Sequence, residues 1–368
     1  MQNDSRLAVS TAAVALALAA CSSSADDLDA AVVVPDDAAP PVDVASEPSE
    51  ADAGGLAGAV STLAGTEEPG HQDGANSRFD NPVNVAVDPA SGDVFLADRG
   101  NHAIRRVRDD GFASTVITES GGTFIEPFGL AFYDGTLYAH SDQGGTNPGL
   151  WEVDIGEGSA ERILGVGQMH GLGTHPDRGL ILPDRGRHVI ELFDPSSLSL
   201  SPLAGGEGES GYVDGQGDEA RFDEPMAAIA LPGGDILVAD SGNHVIRRVT
   251  LDGEVSTFAG EGEPGTVDGP VAEARFDRPV GLIRDDDGTI YVSCADGHVI
   301  RAIADGEVRT IAGSGTPGFA DSEDDPLAAQ FFGLGGIAAA PGSGVLYAAD
   351  GDRGAGEPYH RIRRIELD

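Results

Sequence analysis

Histidine, cysteine and carboxylate side chains are the groups of this 368-residue sequence that could bind a metal ion or transfer protons. Two of them, His140 and Cys294, occupy a position of a repeated segment that other copies fill with Asp. Two zinc ligands must bring their donor atoms within about 4 Å of each other. The ring derived below places these two residues on opposite sides of the molecule. We therefore predict no metal site from them.

A second candidate metal site is a loop sequence that occurs in three related copies, "AGTEEPGHQDGANSRFDNP", "AGGEGESGYVDGQGDEARFDEP" and "AGEGEPGTVDGPVAEARFDRP". Carboxylates of the second copy could ligate calcium: Asp214, Asp218 and Glu219. Calcium is the one cofactor that the sequence leaves as an alternative to no cofactor. We favour a structural interpretation. One phenylalanine per copy is expected to anchor the loop between repeats while neighbouring Arg and Asp form ion pairs: Phe79, Phe222 and Phe276.

The charged residues exclude several classes of function. All 22 basic residues are arginine, against 62 acidic ones, for a formal net charge of -40. Without lysine there is no Schiff-base chemistry and no phosphate loop that needs a lysine ammonium. Strong negative charge repels phosphate backbones, so nucleic acid is excluded as a partner. No nucleophile, base and orienting acid stand together in sequence, so no catalytic residue is predicted.

The N-terminal segment predicts export. Residues 1–20 contain Arg6 followed by the apolar run "LAVSTAAVALALAA", which is too short to span a bilayer and is typical of a signal peptide. The run ends in "LAAC", which resembles the lipobox of bacterial lipoproteins and implies lipidation of Cys21. Residues 21–58 are rich in Ala, Pro, Asp and Glu and predict a disordered acidic linker.

The rest of the chain, residues 59–368, is a repeat. The segment "DRGNHAIRRV" returns as "DSGNHVIRRV", and the ends of the related segments are separated by 42, 44, 56, 54 and 56 residues: Asp98, His140, Asp184, Asp240, Cys294 and Asp350. Each of the six units reads as four short strands separated by Gly- and Asp-rich turns. Four-stranded sheets repeated at this period form a propeller, so we predict an all-β, six-bladed β-propeller.

The two ends of the repeat region predict how the ring closes. Residues 59–65, "AVSTLAG", match a fourth strand without its first three, and "HRIRRIEL" at the C-terminus is a third strand without a fourth. We expect residues 59–65 to pair into the last blade, which removes exposed strand edges. The text "GNHVIRRV" and the repeated loops resemble NHL-repeat proteins, whose repeats form six-bladed propellers.

The turn in "ADSGNHVIRRV" has a structural interpretation. Asp240 is expected to accept backbone N–H groups of the turn, with positive φ at Gly242 and tolerance of that geometry at Asn243. The recurring histidines begin the third strands and cannot meet across a ring, so we assign them packing roles: His102, His188, His244, His298 and His360.

A candidate binding site lies at one mouth of the central channel. The innermost strands are mostly Gly, Ala, Val, Leu and Ile, and a ring of residues near their starts should line the mouth. Blades 2 and 3 lack the long loop text, so we expect an opening there that exposes Phe128, His170 and Trp151, with Met226 nearby. In the alternative, Trp151 packs between blades and His170 bonds a neighbouring loop.

Two functions follow from these features. The first is a non-catalytic binding or scaffold protein of the bacterial cell envelope, held by its N-terminal lipid, with an envelope protein, peptide or glycan as partner. The second is implied by the resemblance to propeller enzymes, the metal-dependent lactonases and peptide-amidating lyases, whose metal ligands lie on several inner strands. Here His170 and His175, both in blade 3, are the inner-strand histidines. We expect a monomer.

Cys21 gives a direct test of the anchor. Acylation requires the thiol, so Cys21→Ala should abolish lipid labelling and move the protein from the membrane fraction to the soluble fraction. Ser22 follows the cysteine where an Asp often marks inner-membrane retention, which favours the outer membrane. Without acylation the chain would be secreted or periplasmic. A variant that stays membrane-bound through detergent-free washes would contradict the anchor.

Overall fold

The computed structural model describes residues 57–118, 124–142, 148–351 and 360–367. The predicted signal peptide, Cys21 and nearly all of the predicted linker lie outside these residues. Twenty-six strands form six antiparallel sheets, and first strands of successive sheets contact each other around a ring. Four three-residue 3-10 turns are the helical segments of the described chain, and no helix there is long and apolar enough to cross a membrane. The predicted all-β, six-bladed propeller is confirmed.

Each blade runs from the channel outward in chain order. Blade 1 consists of β2 (Pro82–Val87), β3 (Val94–Asp98), β4 (Ala103–Val107) and β5 (Ala113–Ile117). Blade 2 consists of β6 (Pro127–Tyr133), β7 (Thr136–Ser141), β8 (Gly149–Asp154) and β9 (Ser159–Gly165). Blade 3 consists of β10 (Gly173–His175), β11 (Gly179–Asp184), β12 (Val189–Asp194) and β13 (Ser199–Ala204).

Blades 4 and 5 each carry a short fifth strand that the repeat did not predict. Blade 4 consists of β15 (Pro225–Ala230), β16 (Ile236–Asp240), β17 (Val245–Val249) and β18 (Glu254–Ala259), with β14 (Gly215–Gln216) on its outer edge. Blade 5 consists of β20 (Pro279–Arg284), β21 (Ile290–Cys294), β22 (Val299–Ala304) and β23 (Glu307–Ala312), with β19 (Gly269–Pro270) on its outer edge. The loops before these blades therefore form a short fifth strand.

Blade 6 closes the ring. It consists of β24 (Leu334–Ala340), β25 (Val345–Asp350), β26 (His360–Leu367) and β1 (Ala57–Thr66). β1 lies antiparallel to β26, with Val60 opposite Ile365, and Val60 also exchanges two backbone hydrogen bonds with Ser322 at 2.8 and 2.9 Å. Val60 is fully buried. The predicted pairing of the N-terminal strand into the last blade is confirmed, over a slightly longer range than residues 59–65.

Hydrophobic side chains fill the spaces between adjacent blades. Second strands are buried on both faces, as in "VFLAD" of β3 and "ILVAD" of β16, because each lies between two neighbouring sheets. Outer strands such as β9 are largely exposed. Each space holds a phenylalanine or a tryptophan from one blade against aliphatic residues of the next, and the predicted loop anchors Phe79, Phe222 and Phe276 are fully buried.

A fully buried arginine ties the loop before blade 4 to its second and third strands. Arg247 on β17 donates to Asp240 at 3.0 Å and to Asp214 of the loop at 2.6 Å. It also donates to two loop carbonyls at 3.0 and 3.1 Å, and its guanidinium lies 5.3 Å from the centre of the Phe222 ring. The predicted ion pairs of this loop are thus present. Asp214, one of the candidate calcium ligands, forms an ion pair with Arg247.

The same arrangement recurs in blades 1, 5 and 6. In each, a fully buried arginine bonds an interblade-loop aspartate at 2.7 or 2.8 Å and lies near a loop phenylalanine: Arg105, Arg301 and Arg363. Blades 1 and 6 add the second-strand aspartate at 2.8 and 2.9 Å. Blade 5 has Cys294 there instead, so Arg301 relies on the loop aspartate and two carbonyls.

The recurring histidines fasten neighbouring blades. His244 has a left-handed backbone (φ 57°), and its Nδ1 accepts a hydrogen bond from the backbone N–H of Arg278, at the start of the next blade, at 3.2 Å. Equivalent bonds run to the starts of blades 2, 4 and 1 from His102, His188 and His360. The fifth, His298, stacks on Phe332 with ring centres 6.3 Å apart.

The expected positive φ at Gly242 and Asn243 was wrong. Residues 241–243 form a 3-10 turn, and the left-handed residue is His244 that ends it. Gly242 is needed for a close approach, because a Cβ there would lie 2.7 Å from the Asp223 carboxyl carbon. Asp240 does not cap the turn; it accepts the backbone N–H of Asp223 in the interblade loop at 2.7 Å.

Cys294 holds the register position of Asp98 and Asp240, opposite the proline that begins the first strand, but in blade 2 Ser141 holds that position. The predicted equivalence of His140 with these aspartates was therefore wrong by one residue.

His140 and Cys294 lie in blades 2 and 5, which face each other across the ring. Both are fully buried. His140 Nε2 lies 2.9 Å from the Gly167 carbonyl oxygen, which joins blade 2 to the loop before blade 3. Burial lowers the pKa of His140 to about 4 and raises the pKa of the Cys294 thiol to about 12, so both side chains are neutral at pH 7.

Strand β1 gives the first test of this architecture. Deleting residues 59–65 exposes the edge of β26 and removes buried Val60, so the melting temperature should fall by about 10 °C or more and soluble yield should drop. Deleting residues 22–52 should leave both unchanged, because the acidic composition of that segment predicts a linker that adds nothing to a folded core. Equal melting temperatures for the two deletions would contradict closure by β1.

His140 makes the fold acid-sensitive. Its pKa is about 4 when folded and 6.5 for an ordinary histidine, so the stability present above pH 6.5 is lost as the pH falls toward 4, because the unfolded chain binds the proton first. Relative to His140→Gln, the wild type should lose about 2 to 3 kcal/mol of unfolding free energy between about pH 7 and pH 4.5, measured by urea titration.

The glutamine variant keeps an N–H donor for the Gly167 carbonyl. Burial raises the pKa values of Asp98 and Asp240 to about 6, which by itself adds stability as the pH falls from 6 toward 4. Those carboxylates are common to both proteins, so the difference between the proteins isolates His140. Parallel pH profiles for wild type and variant would contradict the assignment.

Candidate functional site

One mouth of the central channel is a cavity of about 440 Å³. Its lower wall comes from the starts of first strands, with apolar Val83, Met226 and Leu334. Three arginines contribute to the lining from the turns and loops above: Arg99, Arg185 and Arg278. This cavity, the arginine mouth, lies on the face that carries the turns between second and third strands.

Three of the four predicted site residues line the arginine mouth: Phe128, His170 and Met226. Phe128 begins the first strand of blade 2, and its ring centre is 6.1 Å from that of His170, which precedes β10 of blade 3. The His170 carbonyl accepts a hydrogen bond from the Asn84 side chain at 3.1 Å, which links blade 3 to blade 1 across the channel. Met226 packs against Val280 and Ala295, below the rim.

Phe128 is less exposed than predicted. Only 7% of its surface is accessible, because the Arg99 and Arg185 guanidiniums lie 4.7 and 5.7 Å from its ring centre. These contacts join blades 1 and 3 over an aromatic ring of blade 2. Cation–π attraction holds each guanidinium near the ring, so both side chains are positioned at the rim without a ligand.

Trp151, the fourth predicted residue, does not reach this mouth. It lies on the third strand of blade 2, is buried, and packs between blades 1 and 2, with its ring 5.3 Å from that of Phe124 in an edge-to-face arrangement. Its indole N–H donates to the Ser141 hydroxyl at 3.0 Å. Trp151 occupies the register position that Arg105 and Arg247 hold in blades 1 and 4. Its expected exposure was wrong, and Trp151 packs between blades as in the alternative.

The rim arginines were missed by the sequence analysis. Arg99 and Arg185 directly follow the second-strand aspartates, in "LADRGNH" and "LPDRGRH", where blade 4 has Ser241. The turns that follow the second strands surround the channel. The shared position of Arg99 and Arg185 in these turns could therefore have predicted that both line the mouth. Arg278 comes from the loop that precedes blade 5. Its counterpart in blade 1, Asn81, holds the same place before the first-strand proline and lines the same cavity, so this repeat position was the signal for Arg278.

Within the described part of the chain, each rim arginine has a carboxylate at ion-pair distance. Arg99 and Glu126, and Arg185 and Asp142, are 3.7 Å apart, and Arg278 and Glu224 are 3.2 Å apart. None of these carboxylates is among the residues that line the cavity. A guanidinium has five N–H donors, so one such contact leaves most of its donor capacity for a ligand.

The channel and its opposite mouth have a different character. This space, of about 360 Å³, is lined mostly by Gly, Ala, Val, Leu and Ile of the first strands. Its polar lining residues include Asn84, Thr174 and Arg284. His175 is buried, with its ring bonded to Gly234 and to the backbone of Asp177, and so points away from the mouth that His170 lines.

Among the described residues, no three His, Cys, Asp or Glu side chains are grouped so that they could hold a metal ion. His170 and His175, the inner-strand histidines, belong to opposite ends of the channel wall.

Comparisons with known proteins agree with this architecture. The NHL repeat family model matches residues 79–106, which span β2, β3 and most of β4. The chloroplast protein SUPPRESSOR OF QUENCHING 1 of Arabidopsis thaliana is 25% identical over 176 residues, which are 47% of this chain and 14% of that protein's length. The chain thus matches a small part of this curated relative.

Solved structures share the fold at low identity. An auxiliary nutrient binding protein from Bacteroides thetaiotaomicron superposes with a TM-score of 0.65 and 19% identity, covering 83% of this chain and 76% of that one. A gluconolactonase from Xanthomonas campestris superposes with a TM-score of 0.56 and 14% identity, covering 87% and 97%. At this identity the likeness establishes the fold. The chain is therefore a six-bladed β-propeller that carries an NHL repeat.

Proposed function

We propose that this propeller is a non-catalytic binding protein of the bacterial cell envelope that takes its ligand at the arginine mouth. The observation that carries the proposal is the convergence of Arg99, Phe128, His170 and Arg185 on one cavity. Ligand sites are typically concave, mostly apolar and furnished with a few well-placed polar groups. The arginine mouth is concave and has well-placed polar groups, and its lining is more polar than that of a typical small-molecule site, which suits a polar or charged ligand.

The cavity's size favours a ligand of limited extent. A volume of about 440 Å³ lies within the range of small-molecule sites, so it suits a sugar unit of a glycan or one or two residues of a peptide. A folded protein partner would have to insert a side chain or terminus. The imidazole of His170 supplies a flat surface that suits a ring-shaped group, while the covered ring of Phe128 positions the two guanidiniums.

The chemistry of the described residues supports binding over metal-dependent hydrolysis. A metal-dependent lactonase needs several ligands that converge on one ion, and the first strands bring no such group together among the residues that the structure describes. The nutrient-binding and lactonase propellers share this fold, so the fold itself does not separate the two activities. The side chains at the mouth favour the first.

The proposed envelope location rests on the N-terminal sequence. An acylated Cys21 would tether the propeller through the acidic segment that precedes β1, and the nutrient-binding function named for a Bacteroides propeller is compatible with such a location.

A double substitution at the arginine mouth, with a control at the opposite mouth, tests the site. Phe128→Ala with His170→Ala should abolish the thermal stabilisation that ligands from a panel of sugars, sugar acids and short peptides give the wild type. A ligand at about 100 times its Kd stabilises by about 2.7 kcal/mol, which a melting curve resolves. The ligand-free melting temperature of each variant is measured alongside.

Phe132→Ala is the matched control. Phe132 lies on the same strand as Phe128 but lines the opposite mouth, where its ring is 5.3 Å from that of Phe95. This variant should keep the ligand-induced stabilisation. Equal loss in both variants, or loss in the control alone, would place the site elsewhere. Turnover of a panel member by the wild type would show that the protein is an enzyme.

A further inference from the structure

We propose that the ligand of the arginine mouth carries an oxyanion, a carboxylate or a phosphate, which Arg99 and Arg185 bind together above the Phe128 ring. This inference rests on the proposed function and specifies its ligand class. The two guanidiniums belong to blades 1 and 3, so a bound anion would bridge the blades that flank blade 2.

The distribution of arginines over the chain is the first support. The chain has a formal net charge of -40. Its four repeated arginines are fully buried and bond aspartates at 2.6 to 3.0 Å, so they offer nothing to a ligand. Arg99, Arg185 and Arg278, in contrast, are 30%, 28% and 32% exposed and line one cavity.

The charge of the lining is the second support. Of the described residues that line the arginine mouth, three carry guanidiniums and one, Asp296, carries a carboxylate. The partners Glu126, Asp142 and Glu224 contribute none of the lining and hold the arginines from outside it. Among the described side chains of the lining, guanidiniums thus outnumber carboxylates, and charge-assisted hydrogen bonds to a guanidinium favour an oxyanion over a neutral hydroxyl.

Preorganisation is the third support. The Phe128 ring holds Arg99 and Arg185 at 4.7 and 5.7 Å, so little side-chain entropy remains to be lost on binding. The apolar wall formed by Val83, Met226 and Leu334 lowers the local dielectric, which strengthens each contact between a guanidinium and an anion. Bidentate pairing with a planar carboxylate would use the fork geometry that distinguishes Arg from Lys.

Calorimetry with matched anionic and neutral compounds tests the inference. D-glucuronate, D-galacturonate, D-glucose 6-phosphate and inorganic phosphate are titrated at millimolar concentration, beside D-glucose and D-galactose. At least one anion should bind while its neutral counterpart binds at least about tenfold more weakly. Whether the uronates or the phosphates bind more tightly identifies the oxyanion.

Arginine substitutions place the anion. Arg99→Gln with Arg185→Gln should weaken anion binding by at least about tenfold, since each lost charge-assisted contact counts. Arg99→Lys with Arg185→Lys keeps the charge without the fork and should give an intermediate affinity. The matched control, Arg106→Gln with Arg248→Gln, removes two third-strand arginines that are 39% exposed and pair with aspartates just before the second strands, and it should leave affinity unchanged.

The outcomes separate this inference from the proposed function. If neutral sugars bind and lose affinity in the Phe128→Ala, His170→Ala variant while no anion binds, the mouth is a binding site and the oxyanion inference is wrong. If an anion binds equally to wild type and to the glutamine pair, it binds elsewhere and the inference is again wrong. Melting curves of each variant exclude loss of affinity through unfolding.

Discussion

The buried guanidinium of the third strand is the interaction on which the rest of the propeller depends. In four blades it connects strand, interblade loop and aromatic anchor at one point: Arg105, Arg247, Arg301 and Arg363. Removing one partner of such a buried pair costs about 3 to 5 kcal/mol, because it leaves an uncompensated charge. The long loops can therefore be rich in Gly and Asp and still be ordered against the blades.

The candidate site includes residues of blades 2 and 3, the two blades that lack the buried third-strand arginine. Blade 2 has Trp151 and blade 3 has Glu191 at the register position of the buried arginine. Glu191 pairs instead with Arg187, which also bonds Asp184 at the end of β11. Arg185 follows Asp184 at the turn after β11 and lines the mouth, as Arg99 does after Asp98 in blade 1, which keeps its buried arginine. The rim arginines therefore depend on the turn after the second strand and not on loss of the structural arginine.

How much the sequence predicted follows from what repetition encodes. Six copies of one strand pattern predicted the blade number, and the unmatched ends predicted closure, because both depend on pattern and not on side-chain direction. The five-stranded edges of blades 4 and 5, the exposure of Trp151 and the left-handed His244 were missed or wrong. Each depends on how a loop packs against a neighbouring blade, which spacing within one repeat does not specify.

The two populations of arginine also determine how an anion can be recognised by an acidic protein. The overall charge repels anions at long range, but charges separated by more than about 8 Å are screened at physiological ionic strength. Within the mouth, contact with Arg99 and Arg185 decides the affinity, since both lie inside that distance of a bound ligand. Long-range repulsion would slow the approach of a dianion more than that of a monoanion. Selectivity among anions then comes from the fork geometry of the two guanidiniums and from the shape of the cavity beside Phe128.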